Sequence, residues 1–181
     1  MKRVVLSPAS LPDGVLAETK LWLGITTQAD DAALASLLRV ALETCEAFTG
    51  QRPLCAEIEE VHEGTGAWTA LATRPVQAIT ALEALAPDGA RTLLAPASYA
   101  VDLDASGIGR FRLTGTAPRR IAVRFTAGLA ASWDELPEAL RHGVLRLAAH
   151  QFRERDLPGA APLPPAAVAA LWRPFRLMRL T

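Results

Sequence analysis

Arg120-Ile121-Ala122-Val123-Arg124-Phe125-Thr126-Ala127-Gly128 is the stretch that divides this chain. Ile121, Val123 and Phe125 alternate with Arg120 and Arg124, the period of two expected of a strand with one wet face. Gly128 ends the pattern, and Trp133-Asp134-Glu135 leads into a segment of different period. There Leu136, Leu140, Val144, Leu147 and Gln151 fall on one helical face, widened by Leu145, Ala148 and Phe152. Pro137 sits in the first turn, where proline is tolerated. The spacing predicts one long helix within residues 133–157.

Upstream, residues 54–128 read as β throughout. Short β-branched runs at 57–62, 68–73, 76–85, 99–103, 109–114 and 120–126 are separated by turn signals such as Gly64-Thr65-Gly66, Pro87-Asp88-Gly89 and Ala105-Ser106-Gly107. Arg110 and Arg112 alternate with Phe111 and Leu113, again one wet face and one dry. Residues 1–53 read as an extended arm followed by two helices. The first helix runs over 15–23, closed by Gly24. The second runs over 29–49, with Leu34, Leu38, Ala41, Cys45 and Phe48 on one face, Asp30 and Asp31 in the first turn and Gly50 at the end. The predicted class is α+β: a helical frame with an inserted antiparallel β lobe, in a single domain of 181 residues.

Downstream of the long helix the composition changes. Residues 158–165 are a Pro/Ala linker that opens an extended tail over 158–181, within which Ala166 to Trp172 are expected to form two helical turns stopped by Pro174. Its end holds Trp172, Arg173, Phe175, Arg176, Leu177, Met178, Arg179 and Leu180, half apolar and half arginine. Such a segment needs another surface to bury it, and arginine and aromatic residues are enriched where proteins dock. Removing residues 170–181 is expected to leave the fold intact.

Lys and Arg together number 19, matched by 19 Asp and Glu. The balance is uneven, because from residue 141 onward seven arginines face only Glu154 and Asp156. An acidic body with a basic end suits head-to-tail contact, and it is not the broad basic surface of a duplex-binding protein. No run reaches transmembrane length, no signal peptide is expected, and no membrane partner is expected.

Several patterns invite a chemical reading. Asp102-Leu103-Asp104-Ala105-Ser106-Gly107 matches the first half of a calcium loop, but the twelfth position is Leu113 where a bidentate glutamate belongs, so a hairpin turn is predicted. His142 and His150 are eight apart on a helix, which does not clamp a metal, and Cys45 and Cys55 fit no metal spacing and read as free thiols. Glu57 and Glu59, with Glu60 and Glu63 beside them, read first as a solvated strand face and only second as catalytic carboxylates. No catalytic, cofactor-binding or metal residues are predicted.

A resemblance follows from motifs in fixed order. Phe48-Thr49-Gly50-Gln51-Arg52-Pro53-Leu54 leaves a helix, and Arg74-Pro75-Val76 enters a strand. Tyr99-Ala100-Val101-Asp102 and Ile121 to Gly128 are further strands. Leu136-Pro137-Glu138-Ala139-Leu140 runs through His150-Gln151-Phe152-Arg153-Glu154-Arg155, and Leu171 to Arg179 closes the chain. Together these resemble the head–tail connector, or adaptor, family of tailed phages and phage-like particles, including gene transfer agents. Phe152 stands where that family usually has tyrosine, and Gln51 where it often has glycine. The resemblance implies a structural protein without cofactor, assembled in the bacterial cytoplasm and located at the head–tail junction of the particle. It implies a ring of about twelve copies below the portal protein, extending the channel through which DNA passes without sequence-specific contact. It also implies a stopper or tail-side partner, and a tail from Trp172 to Leu180 docking on the portal. The alternative on the residues alone is a stand-alone binding module for nucleic acid or a small ligand. A monomer with a well-formed apolar pocket would favour that alternative.

Overall fold

The computed structural model of this chain describes residues 2–7, 11–155 and 164–177. In chain order the elements are β1 (Lys2–Ser7), α1 (Asp13–Leu23), α2 (Asp31–Thr49), β2 (Ala56–Glu63), β3 (Thr69–Ala70), β4 (Val76–Leu85) and β5 (Arg91–Leu93). They continue with β6 (Tyr99–Leu103), β7 (Gly109–Leu113), β8 (Arg120–Ala127), α3 (Glu138–Glu154) and α4 (Ala166–Trp172). The class is α+β, as the sequence predicts. The chain forms two compact units, one of residues 1–9 and 55–128, the other of residues 10–54 and 129–181.

The first unit is all β. A five-stranded antiparallel sheet has the order β1-β2-β8-β4-β5, and a three-stranded sheet has the order β3-β7-β6. The alternation in β8 does what its period demands. Ile121, Val123 and Phe125 are fully buried, together with Ile58 of β2, Leu82 of β4 and Phe111 of β7. Arg120 and Arg112 stay exposed. β8 is the central strand, pairing with β2 from Ala56↔Ala127 to Glu63↔Arg120 and with β4 on its other side. Two register shifts in β4, at Val76/Ala78 and Ile79/Ala81, bend that strand.

Two parts of this unit differ from the sequence reading. The N-terminal segment is not an arm beside the helices. Lys2 to Val5 pair with Val61 to Ile58 of β2, so the first residues belong with the β unit and not with the helices of residues 10–54. β5 is three residues long with every residue exposed, so it carries no apolar period to read.

The second unit is helical. In α2, Leu34, Leu38, Ala41 and Cys45 are buried, and the helix ends at Gly50, whose φ of 74° is open to glycine at little cost. In α3, Leu140, Val144 and Leu147 form the buried stripe beside Ala148. Pro137 accepts the first turn's hydrogen bonds from the amides of Leu140 and Arg141 (2.8 and 3.1 Å).

The end of the chain departs most from expectation. The two helical turns expected over residues 166–172 are present as α4, followed by a 3-10 turn over Arg173–Phe175. What departs is their burial, because Val168 and Trp172 are core residues with 2 % and 0 % exposure and not part of an extended tail. An indole buried against α3 gains far more than a linker-borne indole in water, so this segment closes the core. The expectation that the core ends before residue 170 is therefore corrected.

Candidate assembly interface

The sequence points to residues 172–180 as the docking segment, and the structure divides them by role. Trp172 faces inward. Its Nε1 donates to the carbonyl of Leu140 at 3.4 Å, and its ring lies 6.0 Å from that of Phe48, tilted by 52°. The next turn is fastened to the end of α2. Gln51 Nε2 donates to the Phe175 carbonyl at 2.5 Å, and the Leu177 amide donates to the Thr49 carbonyl at 2.8 Å. Phe175 and Leu177 are half-buried as a result.

Arg173 and Arg176 are exposed. The Arg176 guanidinium stands 5.5 Å above the Phe48 ring, a cation–π contact that orients it without removing it from water. The outward surface of this turn is thus basic, with the edges of Phe175 and Leu177 beside it. Met178, Arg179 and Leu180 lie outside the described residues. Sequence reasoning missed the groups that seat the segment: Phe48, Gln51 and Gly143. The one available signal was Gly143, a glycine in the middle of an otherwise well-patterned helix.

The glutamates of β2 are a second candidate. Glu59 and Glu60 are 4 % and 0 % exposed, which corrects the solvated reading for these two, whereas Glu57 and Glu63 are exposed as expected. Glu59 takes a two-pronged contact from Arg91 (2.6 and 2.9 Å) and a further one from Arg124 Nε at 3.3 Å, with Glu83 joined to both arginines. The Arg91 hydrogen bonds outweigh burial and, with Arg124, hold the Glu59 carboxyl below the ordinary glutamate value. Burial pushes Glu60 up, but the bond to His62 and those from the Ala72 amide, the Thr73 amide and the Thr73 hydroxyl prevail and hold it low. A general acid at neutral pH needs the opposite shift. Both carboxylates bind strands together: Glu60 ties β2 to the segment after β3, and Glu59 ties β2 to β8 and β5.

The half-match to a calcium loop is a β6–β7 hairpin turn. Asp104 Oδ1 accepts from the Ser106 amide, the Ser106 hydroxyl and the Ile108 amide, and Arg110 bonds both Asp102 and Asp104 at 3.1 Å. These oxygens are spent on the turn itself. Among the described residues no group of three or more His, Cys, Asp or Glu is placed to hold a metal ion. Nor is any helix among them long and apolar enough to cross a membrane.

No family model matches the chain, and no curated protein matches it. Solved structures do match. All of this chain and 98 % of a chain in the neck of an empty gene transfer agent particle, computed with C6 symmetry, superpose with a TM-score of 0.80 at 28 % identity. A chain of the virion of a native gene transfer agent particle matches over the same shares, with a TM-score of 0.77 at 29 % identity. In the neck of a native particle computed with C12 symmetry, 97 % of a chain matches 98 % of this one, with a TM-score of 0.73 at 28 % identity. The likeness covers both compact units, so in fold and in sequence this chain is similar end to end to chains of gene transfer agent particles.

Proposed function

We propose that this chain is a structural subunit of the neck of a phage-like particle: a head–tail connector whose copies form a ring below the portal, extend the DNA channel and offer the tail-side proteins a place to attach. The carrying observation is the full-length likeness to a gene transfer agent neck chain, at a TM-score of 0.80 and 28 % identity. The residues are compatible with it. The buried carboxylates rigidify a β lobe, and the exposed arginines gather on one turn at the chain end. Net charge is zero, which suits a channel wall that must let phosphates pass.

The portal is the proposed partner of the C-terminal segment. Arg173 and Arg176 pair with its carboxylates or carbonyls, flanked by Phe175 and Leu177 and continued by Met178, Arg179 and Leu180. Trp172 serves from within, by holding the turn in place. The test is imaging of purified particles that carry a tagged copy of this chain, combined with deletion of its gene. Tag density in a closed ring at the neck, and tailless filled heads on deletion, are expected. One copy per particle, a two-fold dimer, or normal tailed particles on deletion would overturn the proposal.

A further inference from the structure

β1 and β6 are edge strands on opposite flanks of the β unit. Among the described residues each has a single strand neighbour, β2 for β1 and β7 for β6. In the small sheet, β3 runs into Ala72 and Thr73, which bond Glu60 of β2 and Arg3 of β1, whereas β6 lies beside β4. The lobe therefore shows β1 on one flank and β6 on the other. Two different edges on opposite flanks join head to tail, and head-to-tail contacts close into a ring when the rotation between copies allows.

Their side chains fit. Both edges expose β-branched and leucine residues to water: Val4 and Leu6 at 40 % and 43 %, Val101 and Leu103 at 46 % and 44 %. β1 carries Lys2 and Arg3 and no acid, while β6 carries Asp102, whose carboxylate meets Arg110 of β7 at 3.1 Å and remains half exposed. An antiparallel register with Val4 opposite Val101 sets Arg3 opposite Asp102, Val5 opposite Ala100 and Lys2 opposite Leu103. The register shift between Val5 and Ser7 confines regular pairing to Lys2 through Val5. β5, the far edge of the large sheet, fits worse: it is three residues long and opens with Arg91, so it would set like charge against Lys2 and Arg3.

We infer that β1 of one copy adds to β6 of the next, so that neighbouring subunits of the ring are joined by a strand pair. This rests on the ring proposed above. Main-chain bonds supply the attachment, the Val4–Val101 pair adds apolar contact, and Arg3 opposite Asp102 sets its direction.

The test is a cysteine pair, Val4→Cys with Val101→Cys in a Cys55→Ser background, assembled into particles and oxidised. A ladder of covalent multimers is expected from the double variant and from neither single one. A ring at the neck with no ladder overturns the strand pair and leaves the ring intact. A ladder from Val4→Cys with Thr92→Cys instead assigns the contact to β5 and also overturns it. Wild-type chain absent from the neck defeats the ring, and this inference with it. As a second measurement, Asp102→Lys should lower incorporation into particles at least tenfold while the isolated chain keeps its circular dichroism, and adding Arg3→Glu, the residue set opposite it, should restore most of it. Incorporation unchanged by Asp102→Lys counts against the pairing.

Discussion

Gly143 and Trp172 are in contact so close that no other residue fits at position 143: a Cβ there would stand 2.1 Å from the indole Nε1. Exchanging glycine for alanine in a helix ordinarily gains about 1 kcal/mol. Here the indole would have to leave its seat, an overpacking cost of about 1–3 kcal/mol or more. Gly143→Ala should therefore lower the urea midpoint of the full chain, and a raised midpoint would show that the indole moves freely.

Trp172→Ala opens a cavity in the helical unit and should lower stability by about 3–5 kcal/mol. Truncation before residue 170 should do at least as much. Denaturant unfolding followed by circular dichroism decides it, and a truncated chain as stable as the whole one would contradict the packing of α4 on α3.

Arg173→Glu with Arg176→Glu should change stability by no more than about 0.5 kcal/mol, because both side chains are exposed. The same change should leave filled heads without attached necks. Scoring particles by electron microscopy beside the unfolding curve separates a docking role from a folding one.

Glu60 gives the β unit an acid limit. Its folded value lies below the ordinary 4.5, so the folded state holds its proton less tightly than the unfolded chain does. The stability this confers is fully present above 4.5 and is lost as pH falls through the folded value. Glu60→Gln should flatten that part of the pH profile and cost about 1–3 kcal/mol at pH 7, where an anion with four partners is replaced by an amide. An unchanged acid slope in Glu60→Gln would assign the limit to other carboxylates.

Cys45 is fully buried, and burial with the nearby Glu46 carboxylate pushes its thiol up to about 12. A maleimide at pH 7.5 should label Cys55 in the native protein and leave Cys45 untouched until unfolding. Mass spectrometry of the labelled peptides reads the result directly.

How much of this was legible depended on range. β8, α2 and α3 repeat a local period over many residues, so Ile121, Leu34 and Leu140 declare their faces without help. β1 has a run of only three apolar residues before Pro8, and its partner lies more than fifty residues away, so nothing local distinguishes a strand from an arm. Glu59 looks like a surface residue because the arginines that neutralise it come from β5 and β8, 32 and 65 positions along the chain. The C-terminal segment misled through its own chemistry: a Pro/Ala stretch predicts reach, whereas Phe48 and Gly143, which seat Trp172, lie in other helices. Its arginines were legible as an exposed basic group, and its tryptophan was not legible as core.

The position of Trp172 after α2 and α3 in the chain has a consequence for biogenesis. A ribosome synthesises those two helices first, but the helical unit cannot close until Trp172 has followed them. The turn bearing Arg173 and Arg176 takes its shape in that same final step. A prematurely terminated product thus lacks both a finished core and a presentable arginine pair, so quality control and competence to join a particle are coupled in one indole.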